Sequence, residues 1–387
     1  MTDDCAPSFP RPLALFLTGL MFVCGTCLAE PLESIPPGMN EQVVMIPIGS
    51  GWGSVELETT LFTPPGKGPF PLVVINHGKA AGNPRFDPRA RFVAASREFL
   101  KRGYLVAIPM RPGFSKSTGR DITPGCNTES YGALQGEALW SAIAQLTKRT
   151  DVDPTKMLVV GQSTGGLTSI AAATTAYPGV RGILNFAGGV RNTSCNWEKA
   201  LVDAFESYGA KAQIRSLWFY GDNDSFWGAE LPKKMFEVYN AAGGKARMIS
   251  HGKFYGGDAH GMFSSDIGAP IWWPETEKFL TEVGLPTVIQ FAITKTPRPP
   301  KTDFAVLNDV QKVPYLDASR RERYKQYLSL SYPKAFAIAP TGNVGWSSES
   351  FDPIASSLSA CEAIAKELCA VYAVNDDVVW PTNTSPK

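Results

Sequence analysis

The sequence has almost no net charge, because 37 lysines and arginines stand against 36 aspartates and glutamates in 387 residues. Without a positive excess there is no strong field to gather nucleic acid or an anionic membrane, and we expect neither as a partner. Charged residues are few, at 19% against 44% hydrophobic residues. This balance excludes a globally disordered chain and indicates a globular protein with a large core.

Histidine is scarce, with three in the chain, and motifs for metals and phosphates are missing. No His and Cys spacing of a metal site and no Gly-x-x-x-x-Gly-Lys occurs. The pair Asp222 and Asp224 is too small a ligand set for calcium. We therefore expect no metal and no cofactor, and the candidates for a general base are His77, His251 and His260.

The apolar run at residues 13–24 is shorter than the roughly 20 residues that a membrane-spanning helix needs. Its length fits the central region of a signal peptide, Arg11 precedes it, and small residues follow where a peptidase would cut. We predict a signal peptide at 1–29, a periplasmic or secreted protein and no stable membrane anchor after cleavage. Asp3 and Asp4 offset the usual positive charge, so an uncleaved anchor is the alternative.

Cleavage would remove three of the seven cysteines and leave an even set of four. In an oxidising compartment such a set predicts two disulfides. Spacing favours Cys126 with Cys195 and Cys361 with Cys369, although three pairings are possible and four buried thiols are the alternative.

The body of the chain alternates β-rich and helical segments. Residues 41–48 and 54–62 predict an antiparallel hairpin, and the continuous apolar run 72–76 predicts a strand covered on both faces. Asp87, followed by Pro88, predicts the start of the next helix. The alternation predicts a doubly wound, mostly parallel α/β sheet, in which ligands bind at the carboxyl ends of the strands.

A Gly-x-Ser-x-Gly at residues 161–165 stands between a predicted strand and a predicted helix. The glycines permit a sharp turn that lifts the Ser163 hydroxyl out of the sheet, while the amide of Thr164 faces a developing oxyanion. We predict Ser163 as a nucleophile, with a purely structural turn as the alternative.

A serine hydroxyl needs a base and the base needs an orienting acid. His260 lies in a glycine-flanked loop after the last strand and is our preferred base, with His251 as the alternative. The acid is expected after the strand at 216–220, where Asp224 reaches further toward the histidine loop than the competing Asp222.

His77 precedes the nucleophile, and the chain order serine, acid, histidine leaves no place for a base there. The segment that it begins is predicted to form the oxyanion hole, with backbone amides of Gly78 and Lys79 joining that of Thr164.

A bridge between Cys126 and Cys195 would pin two loops beside the nucleophile. Such a bridge would shape an acyl pocket, and Phe226 and Trp227 are candidate walls of it, with a place in the core as the alternative.

Five segments together resemble an α/β hydrolase of the dienelactone hydrolase-like group: Asn76-His77-Gly78, Arg111-Pro112-Gly113-Phe114, and residues 161–165, 221–224 and 258–261. The resemblance covers roughly residues 41–285. It implies an eight-stranded sheet and hydrolysis of a small-molecule ester through an acyl-enzyme, with Ser163, Asp224 and His260 at the matching positions. Dienelactone hydrolases proper use cysteine, so Ser163 points to the serine esterases of the group.

The alternation ends near residue 285, and a segment rich in proline and basic residues follows. We predict a hydrolase domain at 30–285, a linker and charged helix at 286–333, and a small α+β module at 334–387. The module resembles short C-terminal modules of exported bacterial proteins. It has no histidine, and we expect it to dock on the hydrolase domain or to bind an unknown partner.

These observations predict an exported serine hydrolase that cleaves a carboxylic ester. A peptidase or amidase on the same three residues is the alternative, since both reactions share the acyl-enzyme. A binding protein that retains the fold without turnover is the third hypothesis.

Overall fold

The computed structural model describes residues 33–37 and 39–381. The predicted signal peptide at 1–29 lies outside the described residues. In the described part, no helix combines the length and the apolar character needed to cross a bilayer.

An eight-stranded sheet forms the centre of the body. After a short strand β1 (Glu33–Ile35), its strands are β2 (Glu41–Ile48), β3 (Val55–Phe62), β4 (Phe70–Asn76), β5 (Leu105–Pro109), β6 (Val152–Gln162), β7 (Val180–Phe186), β8 (Ser216–Tyr220) and β9 (Ala246–Ser250). The spatial order is β2-β3-β5-β4-β6-β7-β8-β9. Strand β3 runs antiparallel to both β2 and β5, and the other neighbouring strands of this sheet pair in parallel. The predicted mostly parallel α/β sheet is confirmed.

Helices cover both faces of this sheet, which is why its central strands are apolar throughout. They are α1 (Val93–Leu100), α2 (Thr128–Leu146), α3 (Thr164–Ala172), α4 (Trp197–Lys211), α5 (Glu230–Ala241) and α6 (Ala269–Glu282). Alternate residues of β4 divide between two cores: Leu72 and Val74 pack with α2 to α5, whereas Val73 and Ile75 pack with α1 and α6. The strand ends that carry the candidate site are thereby fixed from both sides.

The predicted start of the first helix is wrong. Asp87 ends a 3₁₀ turn at Pro84–Phe86, where its N–H donates to the carbonyl of Pro84. Helix α1 begins later, at Val93, after Phe92 has turned the chain with a φ of 42°. The aspartate and proline signal therefore belongs to a separate turn.

Helix α4 has no counterpart in the sequence analysis. Its first turn is capped by Asn196, whose side chain accepts from the N–H of Lys199 at 3.2 Å. Its buried face consists of residues at helical spacing, among them Leu201, Phe205 and Tyr208.

The segment after α6 packs against the domain that contains the eight-stranded sheet, called the body from here on. Strand β10 (Phe291–Ile293) pairs in parallel with β1. The Tyr104 hydroxyl donates to the carbonyl of Pro286 at 2.6 Å, and Arg102 Nε donates to that of Thr287 at 3.0 Å.

A four-stranded antiparallel sheet with order β12-β11-β13-β14 then forms the C-terminal module. Its elements are helix α7 (Ala318–Leu328), strands β11 (Lys334–Ile338) and β12 (Val344–Ser348), helix α8 (Pro353–Ala365), and strands β13 (Ala370–Val374) and β14 (Asp377–Val378). The charged helix predicted before residue 333 is present, and its Tyr324 and Tyr327 share one core with Phe336 and Tyr372 of the sheet.

Polar contacts join this module to the body. The N–H of Phe351 donates to Asp266 Oδ2 at 2.7 Å, and Asp266 also pairs with Arg97 of α1. Asp352 accepts from both the N–H and the hydroxyl of Thr296. The module therefore contacts the loop that follows the 3₁₀ helix Ala259–Ser264.

Candidate active site

Ser163 occupies a strained turn between β6 and α3. Its φ of 58° is unusual for a residue with a side chain, and such strain persists only where the surroundings enforce it. A β-carbon at Gly165 would lie 2.2 Å from the carbonyl oxygen of Asn76, and one at Gly161 would lie 2.2 Å from that of Gly165. The two glycines thus let the strand and the helix approach closely, and the turn presents the half-buried serine at the carboxyl edge of the sheet.

Asp224 and His260 form a hydrogen-bonded pair at the same edge. The imidazole Nδ1 lies 3.1 and 3.2 Å from the two carboxylate oxygens of Asp224. The carboxylate is fully buried and its Oδ1 also accepts from the N–H groups of Phe226 and Trp227. These bonds hold Asp224 as an acceptor, so His260 carries its proton on Nδ1 and leaves Nε2 as the free base.

The histidine loop is tied to the residue next to Ser163. Gln162 Nε2 donates to the carbonyl of His260 at 2.8 Å, and Asp258 Oδ1 accepts from the N–H of His260 at 2.9 Å. Within the described ranges, Ser163 Oγ forms no hydrogen bond. Unliganded sites of this kind often have long contacts that tighten around substrate.

Asp222 and His251, the alternatives that the sequence offered, are not part of the Asp224–His260 pair. Asp222 is exposed, and its N–H donates to the carbonyl of Gly252. His251 packs against Gly221, where a β-carbon would lie 2.3 Å from the imidazole Cε1. Burial lowers the pKa of His251. The structure therefore brings Asp224, and not Asp222, to His260.

His77 fixes the loop after β4. Its Nδ1 donates to the carbonyl of Gly78 at 2.6 Å, and its Nε2 accepts from the N–H of Arg111 at 2.9 Å. Arg111 Nη2 also donates to the Gly78 carbonyl, at 3.0 Å. A trans peptide points its C=O and N–H in opposite directions, so these bonds fix the N–H of Lys79 on the other side. A β-carbon at Gly78 would lie 3.0 Å from that of Ser163, which places this peptide beside the serine.

The buried His77 gives the protein an acid-sensitive stability. Burial, and then the charge of Arg111, lower its pKa from 6.5 to about 3. Between pH 6.5 and 3, His77 binds a proton in the unfolded chain but not in the folded chain. The free energy of unfolding is therefore highest above pH 6.5 and decreases as the pH falls toward 3. We expect His77→Gln to flatten the pH dependence of the free energy of unfolding by up to about 1.4 kcal/mol per pH unit in this range.

Urea titrations between pH 4 and 7 measure this slope. His251→Gln is the control, since His251 is only half-buried and its removal should flatten the curve less. Parallel curves for wild type and His77→Gln would contradict the expectation.

Both predicted cysteine pairs lie at disulfide distance. The Cα atoms of Cys126 and Cys195 are 6.0 Å apart, and those of Cys361 and Cys369 are 6.2 Å apart. Two disulfides fit an oxidising location outside the cytoplasm. Among the residues that the structure covers, no group of three His, Cys, Asp or Glu could hold a metal ion.

The two predicted pocket walls differ in position. Trp227 is buried, and its indole N–H donates to the carbonyl of Ala187 at 2.7 Å. Phe226 is 44% exposed, and its ring centre lies 4.3 Å from that of His260. Phe226 therefore borders the candidate site, whereas Trp227 belongs to the core beneath it.

Sequence reasoning gave no role to three residues of the site: Gln162, Asp258 and Arg111. The role of Asp258 could have been predicted, because an aspartate side chain often accepts from the backbone N–H two residues later in the chain, which here belongs to His260. The others act through contacts between distant loops, for which a single sequence holds no local signal.

These features match known proteins in a consistent way. The family model of the X-Pro dipeptidyl-peptidases (S15 family) matches residues 51–235, which carry the strained serine and Asp224. The chain has the α/β hydrolase fold. The order of the eight strands confirms the predicted fold, and the serine at the turn after β6 lies inside the residues that the family model matches.

Several solved structures are similar to this chain at low identity. A candidate dienelactone hydrolase from Klebsiella pneumoniae subsp. pneumoniae MGH 78578 is 15% identical over 62% of this chain and 99% of that chain, with a TM-score of 0.45. The Pyrococcus furiosus esterase Pf2001 is 13% identical over 64% and 92%, at 0.46. A Mycobacterium tuberculosis puromycin-hydrolyzing peptidase is 16% identical over 66% and 41%, at 0.48. No curated protein matches the sequence.

Proposed function

We propose that this α/β hydrolase is an exported serine esterase of the dienelactone hydrolase-like group that cleaves a carboxylic ester through an acyl-enzyme. Ser163 is the nucleophile, His260 the base and Asp224 the orienting acid. The observation that carries the proposal is the buried Asp224–His260 pair on a loop that is tied to Gln162, the neighbour of the strained serine.

The reaction follows from these positions. His260 Nε2 takes the proton of Ser163 Oγ as the oxygen attacks the ester carbonyl carbon, and the imidazolium is stabilised by Asp224. The negative oxygen that forms is bound by the N–H groups of Thr164 and Lys79, with that of Gly78 beside them. Each such donor contributes about 2.7 to 4 kcal/mol to the transition state. The imidazolium then protonates the departing alcohol, and water, deprotonated by His260, releases the acid and restores Ser163.

A peptidase on the same residues is the second candidate, and the match to the X-Pro dipeptidyl-peptidase family favours it. A dipeptidyl-peptidase must bind the positively charged amino terminus of a peptide. The cations Lys79 and Arg111 border this site, and Arg191 contacts it through Phe226. Among the described residues, Lys79 has an acidic partner, Asp121, and the two arginines have none. Their repulsion of an ammonium group supports the esterase.

Export is part of the proposal. The two disulfides and the signal peptide predicted at 1–29 both support a periplasmic or secreted enzyme.

Labelling with a serine-directed organophosphorus probe tests the nucleophile. We expect the native chain to gain the mass of one phosphoryl group and Ser163→Ala to gain none, because only the serine beside the base is activated. Ser194→Ala, which removes an exposed hydroxyl from a neighbouring loop, is the control and should label like the native chain. Equal labelling of Ser163→Ala and the native chain, read by intact-protein mass spectrometry, would refute the proposal.

A further inference from the structure

Arg191 lies on the loop between β7 and α4 and has no acidic partner among the residues that the structure describes. Its guanidinium packs against two aromatic rings: Cζ lies 4.8 Å from the ring centre of Trp197 and 5.5 Å from that of Phe226. Nη2 donates to the carbonyl of Phe226, and the residue is otherwise exposed. The remaining N–H groups are therefore available to a ligand.

The loop that carries Arg191 is held in place on three sides. Cys195 is joined to Cys126, and Asn192 Nδ2 donates to the carbonyl of Pro124 at 2.9 Å. The N–H of Gly189 donates to the carbonyl of Ser163 itself, at 3.1 Å. Because the loop is already ordered, a ligand at Arg191 loses little binding free energy to ordering it.

Arg191 is one aromatic ring away from the candidate base. Phe226 contacts the guanidinium on one side, and its ring centre is 4.3 Å from that of His260. In the proposed reaction, His260 protonates the departing alcohol. The part of the substrate nearest to Phe226 and Arg191 is then the alcohol and not the acid.

Two cationic side chains lie on the loops around the serine. Arg111 is buried, and its Nε and Nη1 have no hydrogen-bond partner among the residues that the structure describes. Lys79 is a second cation, and its partner is Asp121. The carboxylate of Asp224 is occupied by His260 and by backbone N–H groups. Among the described residues, Arg111 and Arg191 therefore have no acidic partner, and a carboxylate of the substrate can supply one.

We propose that Arg191 binds a carboxylate on the alcohol part of the substrate, so that the substrates are esters of hydroxy acids. This inference rests on the proposed esterase function. A guanidinium binds a carboxylate through two parallel hydrogen bonds, and its packing against Trp197 and Phe226 restrains the Arg191 side chain.

Two acetate esters that differ in charge test this inference: 4-acetoxybenzoate, which carries the carboxylate on the leaving alcohol, and its neutral counterpart 4-acetoxybenzamide. The measured quantity is the ratio of kcat/KM for the charged ester to that for the neutral ester. We expect Arg191→Gln to lower this ratio about tenfold, through KM for the charged ester, and Arg191→Glu to lower it further. Arg191→Lys keeps the charge and should retain a higher ratio than Arg191→Gln.

Arg181→Gln is the matched control. Arg181 lies near the opposite end of the same strand β7, is exposed, and donates to the carbonyl of Thr155, so the ratio should not change. Added salt should lower the ratio of the native enzyme and not that of Arg191→Gln.

An unchanged ratio in Arg191→Gln, with the neutral ester still hydrolysed, would overturn the role of Arg191 and leave the esterase intact. If the native enzyme cleaves both esters no faster than Ser163→Ala does, the inference and the proposed function both fall.

Discussion

Replacing Asp224 with asparagine is expected to lower kcat about ten-thousand-fold while the protein stays folded. The amide would offer an N–H where His260 Nδ1 now finds an acceptor, and this favours the wrong imidazole tautomer. The Oδ1 atom of asparagine can still accept from the N–H groups of Phe226 and Trp227, so the turn keeps its bonds. Steady-state kinetics on a short acyl ester measure the loss.

Asp222→Asn is the control for this prediction. Asp222 is two residues away in the same turn, and its exposed side chain forms no bond to His260 among the described residues. We expect kcat to change by less than about twofold, as for surface substitutions in general. A larger loss from Asp222→Asn than from Asp224→Asn would reverse the assignment of the acid.

The second large effect is expected from Gly165→Ala. Its β-carbon would lie 2.2 Å from the carbonyl oxygen of Asn76 and 2.7 Å from that of His77, and both obstacles are backbone atoms in the core of the sheet. The helix α3 must then move away from β4, which displaces Ser163 from the loop of Gly78. We expect a loss of more than about 3 kcal/mol in the free energy of unfolding and no measurable esterase activity.

Gly261→Ala is the matched substitution. Gly261 follows His260 directly, yet a β-carbon there would meet no heavy atom within 4 Å. Its stability should change by less than about 1 kcal/mol, with activity retained. Thermal and urea unfolding of the two variants decide the comparison. Similar stability of both would show that the turn around Ser163 is not tightly packed.

Much of the fold could be predicted from local signals. The continuous apolar run of β4 indicates burial on both faces, and the packing of alternate residues into two cores is the physical reason. The start of α1 could not be read in this way, because Asp87 and Pro88 terminate one turn and do not begin a helix. Helix α4 is not predicted from the sequence, because charged residues stand between its apolar positions. The helix also follows directly on the loop that contains Cys195.

The candidate site shows the same division. The Gly-x-Ser-x-Gly between a predicted strand and a predicted helix pointed to Ser163, and the scarcity of histidine limited the possible bases. The choice between Asp222 and Asp224 depends on burial, which two aspartates in one turn do not reveal. The role of Arg111 in fixing the Gly78 carbonyl depends on a contact between the loops after β4 and β5, which only the folded chain creates.

The pairing of β1 with β10 bears on how the hydrolase body can be isolated for study. A protein truncated after residue 285 would lose the partner of β1 and the carbonyl groups that Arg102 and Tyr104 bind. The backbone groups of β1 that pair with β10 would then be unpaired and prone to aggregation. A protein that ends after Thr294 would keep the pairing of β1 with β10 and the hydrogen bond from the Thr294 N–H to the carbonyl of Ile35.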